Sequence, residues 1–268
     1  PTMEVKVGDR VKKGQVLLTD KKNPGINYTS PASGEVIEIN RGAKRAFLSL
    51  VVKVEGEESV DFGAHSVETI GTLAREAVET KLIESGEWTA FKTRPFSKVP
   101  EKGSTPHSIF VTATDSRPHA PDPNVVIDAE KQAFAAGVAV MSRLTDGSVF
   151  VCMNAMGSFE SSIPTVKVEH FEGKHPAGLA GTHIHYLDPV SANKTVWQVN
   201  YQEVIAIGHL FLSGQIYTPR VVSLAGPMVS HPSLVRVDRG ADLSGLTDGQ
   251  VAHGQHRLIS GSVLDGFI

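Results

Sequence analysis

The sequence predicts a multi-module chain: a small β sandwich, then an α/β domain with a mostly parallel sheet, then a short mixed β module. Three observations predict it. The first fifty or so residues alternate short apolar strands with Gly/Pro turns. The middle alternates strands with helices, a pattern that buries a parallel sheet under helical layers. The last fifty residues return to short strands.

Val5 and Val7 flank Lys6, the period-2 pattern of a half-buried strand. Gly8-Asp9 turns the chain, Val11, Val16 and Leu18 follow around Lys13-Gly14, and Asn23-Pro24-Gly25 marks a hairpin tip. Ile26 and Tyr28 lead to the reversal Ser30-Pro31-Ala32-Ser33-Gly34. Val36, Ile37 and Ile39 form the next strand, and residues 47–54 the last. Many short strands with Gly/Pro turns imply a small β sandwich, and the stretch resembles a barrel-sandwich module of the biotinyl/lipoyl type, entered part-way through. Ser66 is placed to cap one helix carrying Val67, Ile70, Leu73, Ala74, Ala77, Val78 and Leu82, with Gly86 ending it. A Pro-containing connector, 88–106, sets Lys92, Arg94 and Lys98 among Trp88, Phe91 and Phe96. Residues 108–113 read as an apolar strand, and Asp122-Pro123 opens a helix reaching Leu144. Strands at 148–153 and 165–171 precede a Gly/His-rich loop, a strand at 195–199 and a helix at 201–212 ended by Gly214. Short strands at 220–224, 234–237 and 256–260, with a helical turn at 243–246, close the chain.

Composition excludes several classes. A net charge of -3 leaves no electrostatic footprint for nucleic acid. No apolar run approaches the roughly 20 residues of a membrane helix; the richest stretch, 204–216, is broken by Gly208, His209, Ser213 and Gly214. Cys152 is the single cysteine, so an internal disulfide, a Cys-rich zinc site and an iron–sulfur site are excluded. It reads as an inert core thiol. The chain opens at Pro1 without a methionine, and the natural protein is expected to extend further.

Four features bear on chemistry. Lys21 follows Asp20 at the first hairpin tip, where lipoyl domains carry a modified lysine; the competing reading is a solvated turn. No G-x-G-x-x-G or G-x-x-x-x-G-K-[ST] loop occurs, and Asp115-Ser116-Arg117-Pro118 after its strand offers a pyrophosphate no glycine. His175, His183 and His185 lie in a small-residue stretch. In an extended segment His183 and His185 face one side, as half a metal site or as hydrogen-bonded groups lining a cleft. The basic and aromatic residues of 88–98 suit an anionic or π-faced ligand, or a packed connector with its lysines in water. No G-x-S-x-G elbow occurs, and no catalytic residue is assigned.

Several stretches together resemble one family, the NqrA family of the bacterial Na+-translocating NADH:quinone reductase. They are Asp20-Lys21-Lys22-Asn23-Pro24-Gly25, Asn40-Arg41-Gly42-Ala43-Lys44-Arg45, Thr93-Arg94-Pro95-Phe96-Ser97-Lys98, His175-Pro176-Ala177-Gly178-Leu179-Ala180-Gly181-Thr182-His183-Ile184-His185 and Pro189-Val190-Ser191-Ala192-Asn193-Lys194. The resemblance covers essentially the whole chain, with family segments missing at both ends. It implies an incomplete barrel-sandwich module at 1–56, a helical connector at 57–106, a Rossmann-like domain at 107–218 and an SLBB-type β-grasp module at 219–268. It also implies kinship with the flavin subunit of complex I. Those flavin-binding relatives carry a Gly-rich loop after the first helix; here Glu87-Trp88-Thr89-Ala90-Phe91 stands in that place. A backbone phosphate cradle cannot form from such residues.

The resemblance therefore implies a peripheral subunit on the cytoplasmic side of the bacterial inner membrane. It would bind no metal, flavin or iron–sulfur cluster and would not be catalytic alone. NADH, flavins and iron–sulfur clusters would belong to partner subunits, with docking on a membrane subunit. Ubiquinone, the substrate, is expected in a cleft between the connector (Trp88, Arg94, Phe96, Lys98) and the histidine loop (His175, Gly178, Gly181, His183, His185). The alternatives are a pure scaffold in the same complex and a lipoyl-type carrier at Lys21.

Overall fold

The computed structural model describes residues Pro1–Ile268. The first module is two three-stranded sheets. One joins β1 (Thr2–Met3), β3 (Val16–Thr19) and β4 (Asn27–Thr29); the other joins β2 (Arg10–Val11), β5 (Gly34–Arg41) and β6 (Phe47–Val54). Its core is small: Val5, Val11, Leu17 and Val36.

The predicted helix after Ser66 is instead two, α1 (Val67–Ile70) and α2 (Arg75–Glu84). Side-chain hydroxyls compete with the helix here. Thr69 Oγ1 donates to the Ser66 carbonyl and Thr72 Oγ1 to that of Thr69. A short strand, β7 (Lys92–Arg94), follows inside the segment read as a connector.

The α/β domain has a five-stranded sheet in the order β10-β9-β8-β11-β7. Its strands β8 (Ile109–Ala113), β9 (Val149–Met153), β10 (Val166–His170) and β11 (Val196–Asn200) are parallel, and β7 pairs antiparallel at the edge. Ile109, Val111, Val149 and Val151 face one layer, formed by α3 (Pro123–Ala129), α4 (Lys131–Met141) and α6 (Tyr201–Ser213). Phe110, Phe150 and Cys152 face the other, where Ile184 of α5 (Ala180–Leu187) covers them. Burial on both faces explains why β8 and β9 read as unbroken apolar runs. It also pushes the Cys152 thiol pKa up.

The second predicted helix also breaks in two, at Glu130 (φ -128°, ψ 34°). The Glu130 carboxylate accepts from His209 Nε2 (2.9 Å), Tyr217 OH (3.0 Å) and Arg236 Nη2 (3.3 Å). Those tertiary bonds fix it outside the helical run. Asp122 caps α3 as expected, accepting from the Asn124 N–H at 3.0 Å. Helices α4 and α6 approach closely at Gly137 and Gly208. A Cβ on Gly208 would overlap the Ala133 carbonyl, and one on Gly137 the Val204 carbonyl.

The last module is the hairpin of β12 (Pro219–Leu224) and β13 (Ser233–Asp238), followed by α7 (Leu243–Thr247). The strand expected at 256–260 does not form. Only Ser260 finds a bridge partner, Phe267. The module joins the α/β domain through Val221, whose carbonyl accepts from Gln202 Nε2 (2.9 Å) and whose N–H donates to Gln202 Oε1 (2.8 Å), and through charge pairs. Arg239 grips the fully buried Glu87 with two bonds (2.8 and 3.2 Å), and Arg220 bonds Glu203 at 2.7 Å. Between these ties and Glu130–Arg236 lies a cavity of about 160 Å³, lined by Val126, Ile205, Val221 and Leu234 among others. No helix is long and apolar enough to cross a membrane.

Candidate functional site

The residues singled out by sequence fall into two groups, and the structure separates them. Strand β7 runs antiparallel to β11, with Arg94 opposite Val196, the first residue of β11. The chain therefore leaves β7 at the N-terminal ends of the parallel strands, carrying Phe96 and Lys98 there. The histidine loop is anchored at the other end. Ser116, just past the C-terminal end of β8, meets His175 Nδ1 at 3.1 Å, and its Oγ accepts from the Gly178 N–H at 2.9 Å. A five-residue strand is roughly 16 Å long, so these ends are far apart. No hydrogen bond, ion pair or aromatic contact joins residues 88–98 to residues 175–185. The structure therefore does not bring the two segments together around the single cleft expected between them.

Trp88 is fully buried. Its ring packs edge-on against Phe91 (5.5 Å) and Trp197 (5.2 Å), and Nε1 donates to the Pro100 carbonyl at 2.9 Å. A flat ligand has no open face there. Arg94 is half-buried, with Nε donating to Gln198 Oε1 at 3.2 Å. Lys98 is exposed, and Phe96 almost wholly so. Lys92 Nζ donates to the Thr89 carbonyl at 3.2 Å, and its burial lowers its pKa.

The histidines depart most from expectation. His183 and His185 lie in helix α5, not in an extended segment. Two residues apart on a helix is about 200°, so they point to opposite sides. His183 is buried against the Phe171 ring (4.2 Å), with Nε2 2.9 Å from the Ala177 carbonyl. Desolvation lowers its pKa, opposed by that hydrogen bond, and so favours neutral imidazole. His185 is exposed beside Tyr186. Burial of Ile184 and His183 sets this helix, against the strand preference of its own β-branched and aromatic residues. Gly178 is there for space: a Cβ would overlap the Ser116 backbone nitrogen. Gly181 is exposed, with open space around it. Helix α5 ends at Asp188, which accepts from Ser108 Oγ (2.6 Å), His107 Nδ1 (2.7 Å) and Lys194.

Lys21 is exposed at the tip between β3 and β4. The same tip is moored to the connector. Asn23 Nδ2 donates to the carbonyls of Val99 (3.2 Å) and Pro100 (3.1 Å). That mooring is not legible in sequence, because the partners are more than seventy residues apart.

Three family models match the chain in succession. They are the NqrA N-terminal barrel-sandwich hybrid domain over residues 1–55, the NqrA second alpha/beta domain over 73–216, and the NQRA C-terminal domain over 221–268. Curated relatives carry the name of the first-lettered (A-type) component of the Na(+)-translocating NADH-quinone reductase. The one from Marinomonas sp. (strain MWYL1) is 55% identical over 266 residues. Those of Vibrio atlanticus (strain LGP32) and Vibrio anguillarum are 54% and 53% identical. Each alignment takes in 99% of this chain and 60% of the relative, so the chain spans about three-fifths of their length. A solved NAD+-reducing [NiFe]-hydrogenase overlaps 76% of this chain and 46% of its own, with a TM-score of 0.47 and 11% identity.

Proposed function

The chain belongs to the NqrA family, and on that premise we propose that it works as a peripheral subunit of a Na+-translocating NADH:quinone reductase. In this reading it docks, at the cytoplasmic face, on a membrane-spanning partner and shapes access for ubiquinone. Electron transfer belongs to partners that hold the flavins and iron–sulfur clusters. The observation that carries the reading is the match of all three modules, in order, to relatives bearing that name.

The same reading takes the α/β domain as Rossmann-like and akin to the flavin subunit of complex I, and the last module as an SLBB-type β-grasp. The residues present do not fit a flavin phosphate. Where the resemblance places a glycine cradle, Glu87 and Trp88 are fully buried and tied to Arg239 and Pro100. The position is filled by the protein's own side chains, which supports a role without bound flavin.

Quinone contact is proposed at Arg94 and Lys98. Both carry N–H donors for a carbonyl oxygen at an accessible edge of the sheet. Trp88 and His183 support these segments from within, and His175 and Gly178 close the far end of β8. Titrating a soluble ubiquinone into isotope-labelled protein tests this. Amide shifts centred on residues 92–98, with none at His175 or His185, are expected. Shifts confined to the histidine loop would relocate the site, and no shift anywhere would remove quinone contact from this chain.

A further inference from the structure

Phe96 is 82% exposed at the tip of the turn that follows β7. The backbone is in the left-handed region at both Phe96 (φ 80°) and Ser97 (φ 51°), where bulky L residues are rare. The turn is nonetheless fixed. The Thr93 N–H donates to the Lys98 carbonyl (2.7 Å), the Ser97 N–H to the Thr93 carbonyl (2.8 Å) and the Lys98 N–H to Thr93 Oγ1 (3.2 Å). Strain held in place by its surroundings is a feature of ligand clamps and contact sites. Within this chain, so exposed a ring gains little from burial.

The surroundings are predominantly basic. Lys98 and Lys102 lie on the same segment, and the moored hairpin tip brings Lys21 and Lys22 beside it. All four are exposed, and none is in an ion pair. Asp20 and Glu101 are the nearby acids in sequence, and Asp20 accepts from the Lys22 backbone N–H. Such a patch stands out on a chain of net charge -3.

We propose that this tip is a docking finger, whose Phe96 ring seats in an apolar socket rimmed by carboxylates on a protein partner. A rigid, pre-set aromatic suits a preformed socket, because little freedom is lost on binding. The lysines supply steering and register. A fluid anionic bilayer would gain nothing from the fixed turn. A quinone ring stacked on Phe96 would leave its other face in water. The inference rests on the reading above only for the identity of the partner, a further subunit of the reductase.

The test places a photo-crosslinker at the tip, Phe96→p-benzoylphenylalanine, in the tagged full-length protein within a host that makes the reductase. The same probe at Met156, exposed to 87% and outside the patch, is the control. A protein adduct to one reductase subunit is expected at position 96 and not at 156. Its yield should fall several-fold at high salt and in the Lys22→Glu/Lys102→Glu variant. Co-purification with the reductase, with position 96 labelling only lipid or no more than 156, overturns the finger and spares the proposed place in the reductase. A single, salt-sensitive adduct to a protein outside the reductase keeps the finger and overturns that place. No adduct and no co-purification overturns both.

Discussion

The α/β domain and the C-terminal module lie against each other but are held by different forces. The main core contains 31 buried residues, and none of them lies beyond Ile216. In the C-terminal module β12 is half-buried along its whole length, and β13 alternates between half-buried and exposed. Val221 packs against the main core, and the module's other ties to the domain are polar: the pairs Arg220–Glu203, Arg236–Glu130, Arg239–Glu87 and Arg117–Asp265, and two bonds between the Gln202 side chain and the Val221 backbone. Burial makes the first region stable by itself. Polar ties give the second much of its position, so removing one carboxylate should loosen the module and leave the domain folded.

The largest effect should come from the α4–α6 contact. Gly208→Val would push a side chain into the Ala133 carbonyl, and a loss of about 3 kcal/mol is expected from overpacking. Urea denaturation measures it, and a near-neutral result would mean that burial does not hold the domain as described. Glu87→Ala comes next. It strands Arg239, whose side chain is about a third exposed, so a cost of about 2 kcal/mol is expected, below the range for wholly buried pairs. Hydrogen exchange should quicken in β12 and β13 and stay unchanged in β8 and β9. Equal quickening in β8 and β9 would erase the distinction between the regions.

Acid should sharpen the same comparison by a smaller step. Burial tends to raise the Glu130 pKa, but bonds from His209 and Tyr217 and the nearby charges of His209 and Arg236 hold it below the usual carboxylate range. Asp188 is likewise raised by burial yet held low by Lys194, Ser108 and His107. A depressed carboxylate contributes stability that is full above its unfolded pKa and is lost as pH falls through its folded value. Both ties therefore weaken below about pH 4. Glu130→Gln should flatten the acid limb of a melting-temperature profile, and an unchanged slope would contradict the assignment. The smallest effect should be Asp122→Ala, about 1 kcal/mol for the lost α3 cap. Thermal denaturation checks it, and no change would show that the cap is replaced by water.

The strands are legible in sequence where burial is two-sided, as in the apolar run of β9, and Gly214 marks the end of α6. The helix break at Glu130 is not, because Glu130 is held out of line by His209 and Tyr217, 79 and 87 residues away. Helix α5 is hidden by strand-favouring residues that tertiary packing overrides. At the candidate site, the basic and aromatic composition of 88–98 is visible. Which residues are accessible is not, because Trp88 is covered by Trp197 from the far side of the domain sequence. The Glu87–Arg239 tie spans 152 residues and leaves no local signal.

The proposed place of this chain in a Na+-translocating quinone reductase is open to direct measurement. An affinity tag on the full-length protein, followed by gentle extraction of host membranes, tests it most directly. The eluate should carry Na+-stimulated NADH:quinone reductase activity, with flavin recovered in other subunits and none in this one. A chain that elutes alone and without activity, or that carries flavin itself, would contradict the account.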